Sequence, residues 1–393
     1  MCKITSSFRT TRPATRGIAI DWTAWGGIGM ATRGSIPKMM ELAGIDMLAP
    51  EAGIPLIRRE LTAGGTRGEI VIGQRLGILL NEWDATGGLD TAAGEPQGPM
   101  IGKLAGMGLY SGLAIETRLD PAIQPFLHDH QIDGTPVLPG VMAVEAFAEA
   151  ALSILPGWYV EAVEEVNFQS PLKFYRQEPR TVTTEVVIHP HGEKSVADCR
   201  LTGCRKLPNQ TEPQITTHFT GCVRLTEQRP AALTAPAPGL PAGSIKEAAD
   251  IYRVYFHGPA YQVLERAWPD GNRTVGQMAA GLPSDHEPSG QPMLMAPRLM
   301  ELCFQTVGLW ELSARGRAGL PGYLHQVSVH RAPELAEGPL YAVVTPDPDH
   351  GSFDAQVVDT TGNVYVHLTG YRTVALFSGV DAEPAKELHA VLA

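Results

Sequence analysis

Apolar positions along this chain follow two rhythms. Leu113-Ala-Ile-Glu-Thr-Arg-Leu119 alternates apolar and polar, as does Thr181-Val-Thr-Thr-Glu-Val-Val-Ile188, which is the period of a strand with one buried face. Residues 354–376 give two such runs around Asp359-Thr-Thr-Gly-Asn363, which predicts a hairpin. Gly140 to Ile154 and Pro297 to Leu312 are instead apolar round most of a helical circumference, as a helix enclosed by other elements must be. Many strands around one enclosed helix, twice over, predict an α+β architecture in which sheet wraps helix.

Composition breaks divide the chain. Residues 81–103, with Thr86-Gly-Gly, Gly94-Glu-Pro and Gly98-Pro, read as a linker, and the Pro/Ala/Gly-rich stretch 227–245 as a second, extended one. The expected division is a short segment 1–80, the first linker, a unit 104–226, the second linker, a unit 246–378, and a polar tail 379–393 that frays.

Charge and cysteine content narrow the function classes. The 393 residues carry a formal net charge of −11, with 42 acidic against 31 basic side chains. That speaks against nucleic acid and against an anionic membrane surface, both of which call for basic patches. Five scattered cysteines do not form a disulfide framework, so a reducing, cytoplasmic setting is expected. Cys199-x4-Cys204 has no second pair, and the pairs His128/His130 and His189/His191 lack a further ligand, so no metal is expected. There is no apolar run long enough to span a membrane, and Met1 to Arg16 lacks the apolar core of a secretory signal. Nucleotide-binding, serine-hydrolase and zinc-protease signatures are absent.

An internal repeat appears when the chain is slid by 156 positions. Asp129 meets Asp285, His130 meets His286, Gly134 meets Gly290, Pro136 meets Pro292, Leu138 meets Leu294 and Glu145 meets Glu301. Six identities in 17 positions, at the head of the only two enclosed helices, indicate a tandem duplication of one sheet-plus-helix unit.

His130-Gln-Ile-Asp-Gly134-Thr-Pro-Val-Leu-Pro139 resembles the H-x3-G-x4-P motif of hot-dog dehydratases from fatty acid and polyketide synthesis. The following Gly140-Val-Met-Ala-Val-Glu145-Ala-Phe-Ala-Glu-Ala is similar to that family's central helix. Glu301-Leu-Cys-Phe-Gln305 resembles the D-x3-Q motif of polyketide synthase dehydratases, with Glu in place of Asp. Tyr255-Phe-His-Gly-Pro-Ala-Tyr-Gln262 resembles their Y-G-P-x-F-Q segment, with His257 where Tyr is usual. The resemblance spans about residues 104–378 and implies a double hot dog: two tandem units, each an antiparallel sheet wrapped around a long helix. Upstream, Gly17-Ile-Ala-Ile-Asp21-Trp22-Thr-Ala-Trp25-Gly-Gly-Ile-Gly29-Met30-Ala31 resembles the C-terminal end of a polyketide synthase ketoreductase. Its nucleotide loop and Ser/Tyr/Lys set are missing, so residues 1–80 read as a short α/β remnant without reductase activity. That order of parts resembles iterative synthases of the polyunsaturated-fatty-acid and enediyne type.

The implied reaction removes water from a 3-hydroxyacyl thioester on the phosphopantetheine of an acyl carrier protein. It needs a base for the α-proton, an acid for the leaving hydroxyl and a cradle for the thioester carbonyl, and it needs no further cofactor. The resemblance makes His130 the base. Glu301 is the expected acid, on the premise that burial raises its pKa and keeps a proton available; the bland alternative pairs it with Arg298, three residues earlier. Gln305, one turn on, would orient the carboxyl or the leaving hydroxyl. Gly134 permits close backbone approach to a ligand, and Pro139-Gly140 opens a helix whose free N–H groups and dipole would polarise the carbonyl; plain turn chemistry is the alternative. His257 and Tyr261 line the acyl tunnel or position the loop. By the duplication, Glu145 and His286 would form a second site, but Met295 replaces the proline and the loop is rebuilt, so they read as relics. The expected partners are an acyl carrier protein, docked on a local basic patch, and other domains of a synthase, with the chain a monomer or homodimer. A cyclase, a thioesterase or an enoyl isomerase of the same fold, or a non-catalytic synthase domain, are the competing readings.

Overall fold

In β-strands whose every second side chain is apolar, one face has to be covered. Val182, Thr184 and Val186 are buried at such spacing, and so are Leu201 and Val223 on neighbouring strands. The computed structural model describes residues 17–375 except 64–68, 88, 90–96, 109–110, 192–193, 206–212, 240, 242–243 and 318. The expected tail 379–393 lies outside the described residues.

Two compact units emerge. The first holds residues up to 94 together with 104–114 and 186–196. In it β1 (Ala19–Trp22) pairs in parallel with β2 (Glu69–Ile72). Helices Ile36–Leu42 and Pro50–Ala63 lie between those strands in sequence, an α/β crossover. Neither helix stood out in the sequence, because Pro37 and the internal Pro55 interrupt the pattern. The strand β3 (Trp83–Asp84) pairs with the end of β4 (Lys103–Gly108).

The second unit holds residues 95–103, 115–185 and 197 onward. Its strands are β5 (Gly112–Leu119), β6 (Gln131–Ile132), β7 (Thr135–Pro136), β8 (Tyr159–Phe168), β9 (Arg180–His191), β10 (Lys194–Arg205) and β11 (Gln214–Thr226), of which β5, β9 and β10 have one end among the residues of the first unit. There follow β12 (Lys246–Glu247), β13 (Leu264–Asp270), β14 (Arg273–Met278), β15 (Gly319–Val329), β16 (Tyr341–Asp347), β17 (Ser352–Val358) and β18 (Val364–Ala375). Apart from the small β6–β7 hairpin they join one sheet, in the order β12-β13-β14-β16-β17-β18-β15-β8-β11-β10-β9-β5. Read outward from the central pair, β8, β11, β10, β9, β5 mirror β15, β18, β17, β16, β14. The duplication seen in sequence is thus a twofold repetition of strand order about β8 and β15. These two pair antiparallel, with Val166 opposite Leu324 and Val163 opposite Val327, all four side chains fully buried.

Each half wraps one helix. Gly140–Ile154 packs on β8 and β11, with Val141 through Ala151 all buried. Pro297–Arg315 packs on β13, β14, β16, β17, β18 and β15, and the two helices touch. The second helix starts after Ala296 in a left-handed conformation (φ 48°) and stops at Gly316 (φ 61°), whose N–H caps Leu312 O. This is the double hot-dog, α+β fold expected from the sequence.

The 359–363 hairpin forms as expected. Asp359 accepts from the N–H groups of Thr361 (2.8 Å) and Asn363 (3.0 Å), and Gly362 takes φ 86°. The 227–245 stretch has no core of its own, yet it is not loose. Leu233 and Ala235 pack on Trp268, Val275, Val343, Val358 and Val364, and Ala235 N–H donates to Gly362 O at 2.9 Å. Among the described residues no helix is long and apolar enough to cross a membrane.

Candidate active site

His130 stands at the start of the β6–β7 hairpin. Its turn is Asp133 (φ 48°) and Gly134 (φ 70°), the pairing that a two-residue hairpin turn demands. The chain then runs back past His130. Val137 N–H donates to His130 O at 2.9 Å, and the imidazole Nδ1 lies 2.7 Å from Val137 O. A carbonyl accepts only, so Nδ1 carries the ring proton in the neutral form and Nε2 keeps its lone pair. Two further bonds hold this loop: Leu138 N–H to Leu172 O, and Phe174 N–H to Pro136 O.

Gly134 is exposed and takes φ 70°, and a Cβ there would meet no protein atom, so within the protein it is the turn's positive φ that calls for glycine. Pro139 is the N-cap of the first enclosed helix, not its first residue, and Gly140 opens it. A Cβ on Gly140 would collide with the Phe168 ring. The N–H groups of Gly140 and Val141 fall in the first turn, where the helix offers no acceptor.

The second half brings the other groups to His130. An isolated antiparallel bridge joins His130 to His257. Asp129 secures it: its carbonyl accepts Gly258 N–H at 2.7 Å and its carboxylate accepts Ala260 N–H at 2.7 Å. The His130 ring centroid lies 5.4 Å from His257, 5.1 Å from Phe256 and 6.3 Å from Tyr261. His257 Nε2 meets Glu301 Oε1 at 3.1 Å, with His257 9% and Glu301 5% exposed. Gln305 Nε2 donates to Glu301 Oε1 (3.0 Å) and to Tyr261 O (2.9 Å). Its Oε1 accepts from Tyr252 Oη at 2.8 Å. Gln305 therefore holds the carboxylate, and its amide is fully engaged in doing so. Among the described residues, the buried atoms His257 Nδ1 and Tyr261 Oη meet no hydrogen-bond partner.

The electrostatics differ from the sequence expectation at one residue. Burial, then repulsion from His257, pushes His130 down to about 4 against the attraction of Glu301, so the imidazole is neutral at physiological pH. For Glu301, burial is the largest single influence and acts upward, as expected. It is outweighed by the His257 hydrogen bond and charge, by His130 and by Gln305, and the carboxyl ends below its ordinary value. Glu301 is thus an anion paired with an imidazole, not a carboxylic acid kept neutral by burial. Arg298 does not pair with it; that guanidinium meets Asp285 at 3.2 Å and Pro283 O.

The duplicated pair is built into structure. Glu145 accepts the N–H groups of Leu294 (2.5 Å) and Met295 (2.8 Å). His286 Nδ1 meets Asp285 Oδ1 at 2.8 Å and its Nε2 lies 3.1 Å from Gln291 O. Both ring nitrogens and both carboxylate oxygens are occupied within the protein.

Sequence reasoning missed Asp129, Tyr252 and Phe256. Asp129 left a trace, since it is the first identity of the repeat, matched to Asp285. Phe256 left one too, inside the Tyr255–Gln262 segment that resembles the family motif, whereas Tyr252, just before that segment, left none.

Comparison with known proteins points to one family. A family model described as polyketide synthase dehydratase domain matches residues 99–197, and one described as polyketide synthase dehydratase N-terminal domain matches residues 242–383. Mycoketide-CoA synthase of Mycobacterium tuberculosis is 28% identical over 258 residues, 62% of this chain. A polyunsaturated fatty acid synthase polypeptide from a Thraustochytrium species is 23% identical over 238 residues, 58% of this chain. The aligned parts span only 6% and 8% of those much longer proteins. The dehydratase domain from the CurF module of curacin polyketide synthase superposes with a TM-score of 0.59 at 19% identity, over 71% of this chain and 99% of that domain. A trans-AT polyketide synthase dehydratase domain from Brevibacillus brevis gives 0.57 at 18% identity, over 71% and 98%.

Proposed function

The chain belongs to the polyketide synthase dehydratase family, and on that basis we propose that its site removes water from a 3-hydroxyacyl thioester on the phosphopantetheine of an acyl carrier protein. The product is the 2-enoyl thioester. His130 takes the α-proton through Nε2. The buried His257–Glu301 pair faces it from the other half and serves the leaving hydroxyl. First-turn N–H groups at Gly140 and Val141 cradle the thioester carbonyl as charge builds on it. The observation that carries this reading is the fixed imidazole: with Nδ1 on Val137 O at 2.7 Å and the ring held neutral, His130 is a positioned base.

In this reading residues 104–226 and 246–378 are the two hot-dog units, and an acyl carrier protein and other synthase domains are the partners. The ketoreductase likeness of residues 17–31 stays a reading of the sequence, supported by the parallel pairing of β1 with β2.

The test incubates the protein with 3-hydroxyacyl pantetheine thioesters of several lengths, and with the enoyl products in reverse, and follows the mass change of one water. Turnover in wild type that disappears in His130→Ala supports the proposal. Free acid as product would mean a thioesterase, a shifted double bond an isomerase, and ring closure a cyclase. No turnover in either direction would move the chain to a structural part of a synthase.

A further inference from the structure

We propose that His257, not Glu301, is the group that protonates the leaving hydroxyl, with Glu301 serving as the fixed anion that holds the proton on the imidazole. This deepens the dehydratase reading and rests on it.

The argument is geometric. Of the two groups, Glu301 has Oε1 engaged twice, by His257 Nε2 at 3.1 Å and by Gln305 Nε2 at 3.0 Å. Gln305 is in turn fixed by Tyr252 Oη and Tyr261 O, so the carboxylate sits in a rigid donor cradle that favours its charge. A carboxylate so held is a poor proton donor. The imidazole has the opposite character. Nε2 is spent on Glu301, and Nδ1 is a buried nitrogen without a partner. An imidazole carrying its second proton there has one donor unused. Its ring lies 5.4 Å, centroid to centroid, from the ring of His130, whose Nε2 keeps the lone pair. The Tyr261 hydroxyl is also unpartnered, and its ring lies 6.3 Å from that of His130, so it can add to a polar lining for a hydroxyl of the substrate.

The step balances without any other reagent. His130 Nε2 takes the proton from C2, and that C–H electron pair becomes the C2–C3 π bond. The C3–O bond breaks with its pair on oxygen, and the oxygen takes the Nδ1 proton of His257 and leaves as water. Return of the C2 proton from His130 to its neighbour His257 restores the starting state. The titratable groups against His257 are Glu301 from the helix, His130 from the first half and Tyr255 from its own segment, with the Asp129 carboxylate nearby on Ala260 N–H.

Two substrates on the whole chain test this, a 3-hydroxyacyl pantetheine thioester and its 3-chloro analogue, whose chloride leaves without a proton. His257→Phe is expected to slow water loss about 100-fold or more, the scale of general acid catalysis, while losing HCl near the wild-type rate. His130→Ala should lose both reactions. Glu301→Gln should slow water loss more than HCl loss, because the carboxylate acts through the imidazole that serves the leaving hydroxyl. Near-wild-type dehydration by His257→Phe would overturn the proposal. So would loss of both reactions in that variant, which marks a merely structural histidine. Wild type inert on both substrates would overturn the dehydratase reading, and this assignment with it.

Discussion

At the scale of single residues, environment decides which carboxyls and imidazoles are charged. His130 and His286 occupy matched places in the repeat, yet burial drives His130 down to about 4 while Asp285 lifts His286 above its ordinary value. A base pushed that low is neutral at every pH above it. His130 should therefore impose no acid limb on kcat/KM until pH approaches about 4, whereas an ordinary histidine would begin to fail near 6.5; a pH–rate profile on the pantetheine thioester reads this directly. Glu145 shows the opposite case. Burial pushes its carboxyl up to about 7, against the pull of the Leu294 and Met295 N–H groups, and burial together with the charge of Glu145 raises Glu149 as well. Folded-state values above the unfolded one mean that this pair's contribution to stability is fully present below about 4.5. It is lost as pH rises through about 7. Thermal melting from pH 5 to 8 should show that loss, and Glu149→Gln should flatten it; an equal slope in the variant would contradict the linkage. Removing the acceptor outright is a different matter. Glu145→Ala strands two N–H donors and is expected to cost roughly 2–5 kcal/mol of stability, measured by denaturant unfolding, while dehydration per folded molecule persists.

At the scale of elements, turns and helix starts aim the side chains. The hairpin at 359–363 was legible, because Asp, Asn and Gly answer a local demand that no distant contact alters; the Asp133-Gly134 turn obeys the same rule but was read only as part of the dehydratase-like motif. The start of the first enclosed helix was legible to within one residue. Its tightest constraint was not, because the ring that presses on Gly140 belongs to Phe168, at the end of β8 and 28 positions away. Gly140→Ala must move that ring or the helix start, and Phe168 also meets Phe219 and Phe304, so the shift cannot be local. The expected cost is about 1–3 kcal/mol, in the range of an overpacked core, with slower dehydration because Val137 to Pro139 carry both His130's acceptor and the helix entry. Melting and turnover on the same sample would check both halves of that statement.

At the scale of the whole second unit, duplication made one sheet, and the proposed site draws on both of its halves. The β8–β15 seam joins the halves through buried valines and a leucine, so neither half has a complete sheet face without the other. Truncation of Val327 to Ala should cost about 2 kcal/mol. It should lower hydrogen-exchange protection in β8 and β15 alike; protection lost only in β15 would mean that the halves open independently. The site depends on the same union, since His130 comes from one half and His257, Glu301 and Gln305 from the other.

The sequence by itself determined what is local or repeated. Period-two runs fixed the strands by requiring one covered face, apolar helical circumference marked the two enclosed helices, and the 156-residue offset exposed the duplication, with His130 and Glu301 at opposite ends of the matched stretch, one in each copy. Tertiary structure decided everything that depends on which distant groups meet. It held Glu301 as an anion where burial alone predicted an acid, because Gln305, one helical turn on, is joined there by His257 from a segment whose approach no spacing encodes. It also closed the second copy, since the backbone N–H groups that occupy Glu145 lie about 150 residues further along the chain. A charge state is set by the field of neighbours in space, and that field exists only once the chain has folded.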